Sequence, residues 1–555
     1  MISQIGFISL FLGLSFSLLI FLFSLLDVNN NLVRIDKKIP KLIFFQFCSV
    51  IFAFSFLIFA FLVSDFSNET VYNNSHSTKP LFYKITGVWG NHEGSLLLWL
   101  LVLTSFVLFF AIKSKNEPKN FRLHTILFHQ IITIGFFIFV LKTSSPFNLI
   151  FPVPSEGLGL NPILQDPALG IHPPILYVGY VGTSIVFASA LSAMINGYVN
   201  NEWAKNLKFW TFLSWIFLTG GILLGSIWAY YELGWGGFWF WDPVENISLM
   251  PWLSLTALLH CVVTLEKRNI LKNWTIILSL ITFMLSITGT FLVRSGILNS
   301  VHTFANDPTR GIYILIFLFV LIFISFIIFF LFENKNPEIK KEIFLLSKET
   351  SVLINNWFII YFLTVILVGT IYPIFLDVIS SEKISVGPPF YNKLILPFLL
   401  PFFLFMSIGP SMQWIKTNFK FKIKYIFYLF LTLAASLITV IFLSEKNILL
   451  YILFLALFYL AFKSLENFVI KKSNLAQSFS HLGFAMLMIS ILVNSFSSTE
   501  VIKNLNVGES FNLNNEKIFF KNVKTVKKNN YDSIQGLFEI TNNKNETIKL
   551  KPEIR

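Results

Sequence analysis

The sequence predicts an all-α polytopic membrane protein with about 14 transmembrane helices and a small external β-rich C-terminal domain. Hydrophobic residues make up 55% of its 555 residues and charged residues only 13%, about half the charged fraction of a typical soluble protein. Apolar runs of about 20 residues recur along nearly the whole chain, and each is long enough to cross a bilayer. The runs stop near residue 497, where segments of alternating polarity begin. A soluble protein with one membrane anchor is therefore excluded.

The apolar runs define the predicted helices. Their bounds are 5–26, 42–63, 92–112, 123–142, 175–195, 208–228, 247–265, 274–293, 312–332, 357–376, 394–410, 424–443, 448–463 and 477–496. The first run has no basic residue before it and no A-x-A cleavage site, and it is longer than the apolar part of a signal peptide. It is therefore predicted to be a retained transmembrane helix.

Loop charge predicts the topology. Loops rich in Lys and Arg alternate with poorer loops without exception, and basic loops favour the cytoplasmic side. The N-terminus is therefore predicted to be external, and the external segments are 64–91, 143–174, 229–246, 294–311, 377–393 and the tail from residue 497. The net charge of +13 carries less information than this placement, and no nucleic-acid partner is expected.

The tail differs in kind from the rest of the chain. Segments such as KIFFKNVKTV and GLFEITNN alternate apolar and polar residues between Asn-rich turns, which is typical of β-strands. Four regions are predicted: N-terminal transmembrane helices at 1–84, a transmembrane core with the main aromatic segment at 85–332, C-terminal transmembrane helices at 333–496, and an external β-rich domain at 497–555.

The two cysteines, Cys48 and Cys261, both fall inside apolar runs, and the sequence contains no CxxC motif. A disulfide scaffold, a thiolate metal site and a thiol-exchange activity are therefore not expected.

The densest chemical signal is WAYYELGWGGFWFWDPVENISLMPW, residues 228–252, which spans a predicted outer loop and its helix flanks. It contains five tryptophans, two tyrosines and two phenylalanines around three glycines. An interfacial aromatic belt is the simpler interpretation. Glycines, however, let a backbone approach a flat partner closely, and offset-stacked indoles suit a large planar ligand. Ligand binding is favoured, and haem is the leading candidate because histidines lie in adjacent outer loops.

Two histidines lie in predicted outer loops on either side of this segment. His172 is in LGIHPPILY and His302 is in SVHTFANDPTRG. Neutral imidazole is the usual axial ligand of haem iron, and two such groups could hold iron from opposite sides. The alternative is that both are solvated surface residues.

Two other histidines, His260 and His481, lie inside predicted helices, where an ionisable group indicates function by default. His260 is seven positions before Lys267, and His481 is nine positions after Lys472. At 1.5 Å per residue both lie roughly 10–13 Å from the cytoplasmic charges. Equal depth is what a bis-histidine haem between two helices requires. His129 passes the same test, and for each of them a hydrogen bond to a neighbouring helix is the alternative.

Arg294 and Arg310 border the loop that holds His302, and a guanidinium suits a haem propionate. The outer carboxylates or the membrane interface are alternative partners. His92, in WGNHEGS, is predicted to support the outer boundary by close packing rather than to bind a ligand.

These motifs resemble one known family. WAYYELGWGGFWFWDPVEN with MPWL is similar to the WWD signature of haem-handling proteins, and FLVRSGILNSVHTFANDPTRG, WGNHEGSLLLW and IHPPILYVGYVG narrow the resemblance. Together they are similar to the large haem lyase subunit of the system I cytochrome c maturation machinery. The resemblance covers the chain from about residue 85 to its end.

The resemblance implies a role for each matching position. His172 and His302 match the axial ligands of the substrate haem, and His260 and His481 match the ligands of a resident b-type haem, which leaves His129 without a haem role. Arg294 and Arg310 remain candidates for the propionates. The residues that match the haem-binding segment are Trp235, Trp239, Trp241 and Asp242.

The implied activity is cytochrome c haem lyase activity within a complex. A haem chaperone would deliver haem to the external site, and a thiol-handling presentation subunit would present the CxxCH motif of apocytochrome c, whose thiols add to the haem vinyl groups. Quinol is a candidate electron donor to the resident haem. The implied location is a bacterial inner membrane, with a mitochondrial inner membrane as the other option, and membrane lipid surrounds the helices.

The end of the chain departs from the pattern of this family. Family members usually continue into another transmembrane helix, whereas this chain stops at Arg555, shortly after a Pro-Glu-x-Arg motif, so a final strand and helix are expected to be missing. The alternative functions are a non-catalytic haem relay or haem transport protein and, less favoured, a secondary transporter, because the predicted helix interiors hold almost no carboxylates.

Overall fold

The fold is described from a computed structural model. It describes residues 1–555 except 31–36, 235–236, 296–307, 339–340, 381–383, 419–422, 444–446, 472–474, 515 and 543–545. His302 and Trp235 therefore lie outside the described residues.

The described residues form sixteen α-helices, numbered here in chain order. They are α1 Ile2–Asn30, α2 Ile39–Leu62, α3 Glu69–Asn74, α4 Leu81–Thr86, α5 His92–Lys113, α6 Lys119–Thr143, α7 Pro167–Ile195, α8 Asn201–Glu232, α9 Pro243–Arg268, α10 Lys272–Arg294, α11 Pro308–Phe332, α12 Lys348–Ser380, α13 Pro388–Ile408, α14 Lys424–Phe442, α15 Ile448–Glu466 and α16 Leu475–Ser497.

The polytopic membrane fold is confirmed. Within the described ranges, thirteen helices are long and apolar enough to cross a membrane. The two short helices, α3 and α4, lie between the second and third of these. The helix predicted at 424–443 forms as α14, but its apolar stretch, Ile426–Phe442, is shorter than the other thirteen.

Helix α7 lies at the centre of the bundle. Every residue from Gly179 to Met194 is buried, and the helix packs against α5, α6, α8, α10 and α11. Small residues make this possible. A Cβ on Gly179 would lie 2.2 Å from the backbone nitrogen of Leu218 on α8, so the two backbones approach as closely as glycine permits.

Two helix boundaries near the aromatic segment differ from the prediction. Helix α7 begins at Pro167 and not near residue 175, because the Asp166 side chain caps it, accepting hydrogen bonds from the backbone N–H groups of Ala168 and Leu169. Pro173 and Pro174 lie inside the helix. Helix α8 continues to Glu232. The segment between α8 and α9 is therefore shorter than predicted.

The predicted β-rich tail is a five-stranded antiparallel sheet. Its strands are β1 Ser510–Leu513, β2 Glu516–Lys527, β3 Asp532–Asn542, β4 Thr547–Leu550 and β5 Glu553–Ile554, in the order β1-β2-β3-β4, with β5 also paired to β3.

The sheet contacts the region of the N-terminus of α7 and the C-terminus of α8. Arg555 Nη1 lies 3.4 Å from Glu232 Oε1 and its guanidinium covers the Tyr531 ring at 5.5 Å. Asn530 donates a hydrogen bond to Gln165 beside the start of α7. These contacts hold the sheet next to the aromatic segment.

Candidate functional site

The aromatic segment runs directly into the N-terminus of α9, which is closed by a capping box. The Asp242 side chain accepts a hydrogen bond from the Val244 N–H at 2.9 Å. The Glu245 side chain accepts from the N–H groups of Phe240 and Asp242 at 2.9 and 3.1 Å. Reciprocal capping of this kind fixes the entry angle of the chain. Asp242, predicted to bind haem, thus fixes the backbone on which the tryptophans are carried.

Trp241 is held in place by ring stacking and by a hydrogen bond to its backbone. Its φ of +58° is a left-handed conformation that is uncommon for a bulky residue. The ring stacks on Tyr391 at 4.3 Å between centroids and 11° between planes. Asn246 Nδ2 donates to the Trp241 carbonyl at 3.1 Å and to the Tyr391 hydroxyl at 3.0 Å. Sequence patterns did not identify Tyr391, which lies 150 residues away and belongs to no motif.

Trp239 packs edge-on against Trp241, with centroids 6.1 Å apart and planes at 88°. Gly234 has a φ of +66°, and a Cβ added there would have no heavy atom within 4 Å, so a side chain is excluded by backbone strain and not by crowding. The segment therefore presents an ordered aromatic corner next to a turn that requires glycine.

His172 lies on α7, near its N-terminal end, and not in a loop as predicted. Its Nδ1–H donates a hydrogen bond of 2.7 Å to the Gly221 carbonyl on α8. Gly225, one turn further along α8, faces the ring, and a Cβ there would lie 2.8 Å from His172 Cε1. In a neutral imidazole this leaves the lone pair on Nε2, which is the orientation that a buried partner imposes on a metal-binding histidine.

Arg294 is 5% exposed and enters a polar cluster beneath the outer surface. Its guanidinium donates to His92 Nδ1 at 2.9 Å, to the Ser95 hydroxyl at 2.8 Å and to the Tyr177 hydroxyl at 3.0 Å. Because His92 accepts at Nδ1, its Nε2–H donates to the Ser144 hydroxyl at 2.8 Å. His92 thus links Arg294 to Ser144 within this cluster.

Arg310, on the far side of the segment that contains His302, pairs with Glu93 at 3.2 Å. Its Nε also donates to the Thr143 carbonyl at 3.3 Å. Both arginines predicted to bind propionates therefore bond to neighbouring helices, and His302, between them in sequence, lies outside the described residues.

His260 and His481 form a second group, in the C-terminal half of α9 and the N-terminal half of α16. The Nδ1–H of His260 donates to the Thr256 carbonyl at 2.7 Å. The two imidazoles are close enough for the charge of one to act on the other, and Lys348 acts on both. Both rings are half-buried, and His481 lines a small cleft with Lys463, Ser464, Gln477 and Ser478.

A further histidine within the bundle, His129, is fully buried. Its Nε2 lies 3.2 Å from the Ser184 hydroxyl and its Nδ1 lies 3.3 Å from the Thr133 hydroxyl. Both ring nitrogens therefore have hydroxyl partners inside the bundle.

Charged side chains and tyrosines lie where the sheet meets α7 and α8. Glu553 accepts a hydrogen bond of 2.7 Å from Arg555, which lowers the pKa of Glu553 and raises that of Arg555. Tyr83, on α4, lies near Asp166 at the start of α7, and its pKa is raised first by burial and then by that carboxylate. The Tyr231 hydroxyl donates to Asp166 at 2.5 Å.

Comparison with known proteins agrees with this architecture. Residues 89–298, which include the aromatic segment and the Arg294 cluster, match the family described as cytochrome C assembly protein. The chain is 38% identical over 528 residues to the cytochrome c-type biogenesis protein CcmF of Pseudomonas fluorescens, covering 92% of this chain and 79% of that protein. The chain belongs to the CcmF family.

Two further matches extend the comparison. The CycK cytochrome c-type biogenesis protein of Rhizobium meliloti is 48% identical over 373 residues, which cover 67% of this chain and 54% of that protein. The chain therefore spans about half the length of that relative. A solved structure titled cytochrome c haem lyase CcmF matches with a TM-score of 0.80 and 25% identity, covering 99% of this chain and 87% of the other. The CcmF fold thus extends over the whole chain, including the sheet.

Proposed function

We propose that this CcmF-family chain holds haem at its outer surface while thioether bonds form between the haem and apocytochrome c. The observation that carries the proposal is the position of His172. Its ring is fixed from behind by the Gly221 carbonyl at 2.7 Å, beside an aromatic segment that is itself fixed by the capped start of α9. A pre-oriented imidazole near an indole that is held by stacking on Tyr391 suits a planar iron porphyrin.

The substrate haem would be held by iron ligation and by stacking. His172 would supply one axial ligand, and His302 is proposed as the other. Trp239 and Trp241 would contact the porphyrin, and Trp235 belongs to the same proposed surface. Asp242 would act indirectly, because its side chain closes the α9 cap that orients Trp241. Arg294 and Arg310 would hold the helix ends around the loop that supplies His302.

The reaction is an addition without a leaving group. Each cysteine thiol of the apocytochrome CxxCH motif adds across one haem vinyl group, so that a carbon–sulfur bond forms and the thiol hydrogen is transferred to the other vinyl carbon. The protein would contribute positioning, which converts the encounter of haem and thiols into a nearly intramolecular step. The two cysteines of this chain take no part, since Cys48 and Cys261 lie within transmembrane helices.

The inner histidines are proposed to hold a resident b-type haem. Imidazoles on two different helices, with His260 close enough to act electrostatically on His481, fit the donor set of a bis-histidine haem. The backbone hydrogen bond from His260 Nδ1 to Thr256 orients that ring as a ligand would need. Such a haem supplies one-electron chemistry when bound, with quinol as the proposed electron donor.

The relatives' names identify cytochrome c biogenesis as the process in which they act. The proposed partners are accordingly a haem chaperone, apocytochrome c and the subunit that presents its thiols. The proposed location is a bacterial inner membrane, with the aromatic segment and the sheet on the outer face.

The test is covalent haem attachment in cells that lack their own CcmF but keep the other maturation proteins. Unsubstituted protein should give cytochrome c whose haem survives denaturation, and His172→Ala should abolish it. His76→Ala is the matched control, because His76 is a loop histidine outside the proposed site and pairs with Glu156 at 2.9 Å. Full attachment with His172→Ala, at equal protein level, would contradict the proposal. Haem binding by the unsubstituted protein without attachment would favour a relay function.

A further inference from the structure

The same short pattern occurs on the two helices that flank the aromatic segment. Trp215 and Thr219 are four residues apart on α8, in WIFLT, and Trp252 and Thr256 are four residues apart on α9, in WLSLT. Four residues place two side chains on one face of a helix. Helices α8 and α9 pack against each other, and the two patterns meet at their contact.

The two patterns bond to each other reciprocally. Trp215 Nε1 donates to the Thr256 hydroxyl at 2.9 Å, and Trp252 Nε1 donates to the Thr219 hydroxyl at 2.8 Å. Each hydroxyl in turn donates to the carbonyl of the tryptophan on its own helix, at 2.7 Å in both cases. The two indoles stack with centroids 6.1 Å apart and planes at 22°. Every polar hydrogen of the group is therefore satisfied inside the membrane, and both rings are fixed.

This crossed tryptophan pair (Trp215 and Trp252 with their threonines) lies between the two histidine sites. At its inner end, Thr256 is also the residue whose carbonyl accepts the His260 Nδ1–H. At its outer end, Gly221, the partner of His172, follows Thr219 by two residues. Along the helix axes, Trp215 and Gly221 are six residues apart, and Thr256 and His260 are four residues apart. Together these stretches correspond to roughly 15 Å at 1.5 Å per residue.

The exposure pattern of α9 also supports a connection between the two histidine sites. Trp252, Thr256 and His260 are half-buried at successive turns, whereas most of their neighbours on the helix are buried. One stripe of α9 thus runs from the aromatic segment to the inner histidines and stays accessible to a bound group. A clamp between the two helices would by itself explain the hydrogen bonds. It would not explain why each end of the pair lies at or near the hydrogen-bond partner of a histidine.

We propose that the crossed tryptophan pair is the path by which an electron passes between the inner and the outer haem site, an inference that rests on the proposed function. With haem bound at both sites, His260 and His481 would hold the iron that gives up one electron, and His172 would hold the iron that accepts it. No proton or covalent bond changes in this step. The electron enters the inner site from a hydroquinone, which becomes a quinone, releases two protons and supplies enough electrons for two transfers.

The experiment follows both sites separately in purified protein. The outer site is loaded with iron deuteroporphyrin, which lacks vinyl groups and absorbs at shorter wavelength than the resident haem. The loaded protein is then mixed with a membrane-soluble hydroquinone in a stopped-flow instrument. With Trp252→Leu or Trp215→Leu, the outer site should be reduced at least about tenfold more slowly, equivalent to ~1.4 kcal/mol in the barrier. The rate of inner-site reduction and both midpoint potentials should stay unchanged.

Two further variants separate electron transfer from packing. Trp252→Phe keeps an aromatic ring and loses only the N–H bond to Thr219, so it should restore most of the rate lost in Trp252→Leu. Trp357→Leu is the matched control, since Trp357 is 64% exposed on α12 and lies outside the pair, and it should behave as unsubstituted protein. An unchanged outer rate in the leucine variants, with both sites loaded, would overturn the inference. Failure of unsubstituted protein to bind the outer porphyrin would instead contradict the proposed function.

Discussion

The Nδ1–H of His172 on α7 donates to the carbonyl oxygen of Gly221 on α8 at 2.7 Å, so a backbone atom sets the orientation of the proposed iron ligand. The same stretch of α8 carries Gly220 and Gly225, and the His172 ring occupies the space that a side chain at Gly225 would need. The glycines of α8 therefore determine where the imidazole can lie.

Gly225→Ala should weaken haem binding at the outer site. Its Cβ would lie 2.8 Å from His172 Cε1, so the ring must move away from its hydrogen-bond partner. Loss of such an orienting contact typically costs about 10–100-fold in metal affinity, and haem titration of the purified protein measures it. Gly220→Ala is the control, because its Cβ would meet only Ile175 Cγ2 at an ordinary 3.6 Å. Equal losses in the two variants would disprove the steric explanation.

Asn246→Leu should loosen the aromatic corner. Asn246 is fully buried and bonds to both members of the Trp241–Tyr391 stack. Its removal leaves buried polar partners unsatisfied, which costs about 1–3 kcal/mol, and Trp241 loses the bond that supports its left-handed backbone. The midpoint of thermal unfolding in detergent should fall, and so should haem occupancy of the outer site. Ser248→Ala, which removes only a bond to the Glu245 carbonyl in the same helix, should change neither quantity.

Sequence patterns predict the helices and the cluster of candidate residues better than they predict the contacts between them. Apolar runs identify membrane helices because a bilayer requires a fixed length of apolar residues. The predicted start of α7 near residue 175 is wrong, because the Asp166 side chain caps a helix that begins at Pro167. Tyr391 and the Gly221 carbonyl could not be foreseen, because one is distant in sequence and the other is a backbone atom. The repeated Trp-x-x-x-Thr spacing is visible in the sequence and marks the crossed pair.

The buried side chain of Lys79, between α3 and α4, predicts that the stability of the protein depends on pH. The side chain is 4% exposed, its Nζ donates to the Asn74 carbonyl at 2.9 Å, and burial, with the nearby Lys84 charge, lowers its pKa from 10.5 to about 7. Between these two values the unfolded chain binds a proton that the folded chain has lost, so stability rises with pH over that window. Below about pH 7 both states are protonated and this rise is absent.

Lys79→Met should therefore stabilise the protein most at low pH and flatten its dependence on pH between about 7 and 10.5. Thermal unfolding in detergent at several pH values measures the effect. Lys84→Met should keep the slope but start it at higher pH, because the Lys79 pKa loses a lowering charge. A slope that is the same in unsubstituted protein and Lys79→Met would refute the assignment to Lys79.

The ion pair between Lys463 and Glu466, beside the proposed inner haem site, should be essential for stability and for retention of the resident haem. The two groups lie 2.6 Å apart, with side chains 6% and 1% exposed, and Lys463 lines the same cleft as His481. Lys463→Met removes the paired cation from a buried carboxylate, which typically costs about 3–5 kcal/mol. The double variant Lys463→Met with Glu466→Gln should recover most of this loss, as measured by thermal unfolding and by retention of the resident haem. No recovery in the double variant would show that the pair does not act as a unit.

The central claim is that one chain holds haem at two separate sites. The difference spectrum, dithionite-reduced minus oxidised, of protein purified together with its maturation partners tests it most directly. We predict that His172→Ala loses the outer contribution and keeps the inner one, that His260→Ala does the reverse, and that the double variant loses both. A full haem spectrum in the double variant, or loss of both contributions in each single variant at normal thermal stability, would contradict the claim.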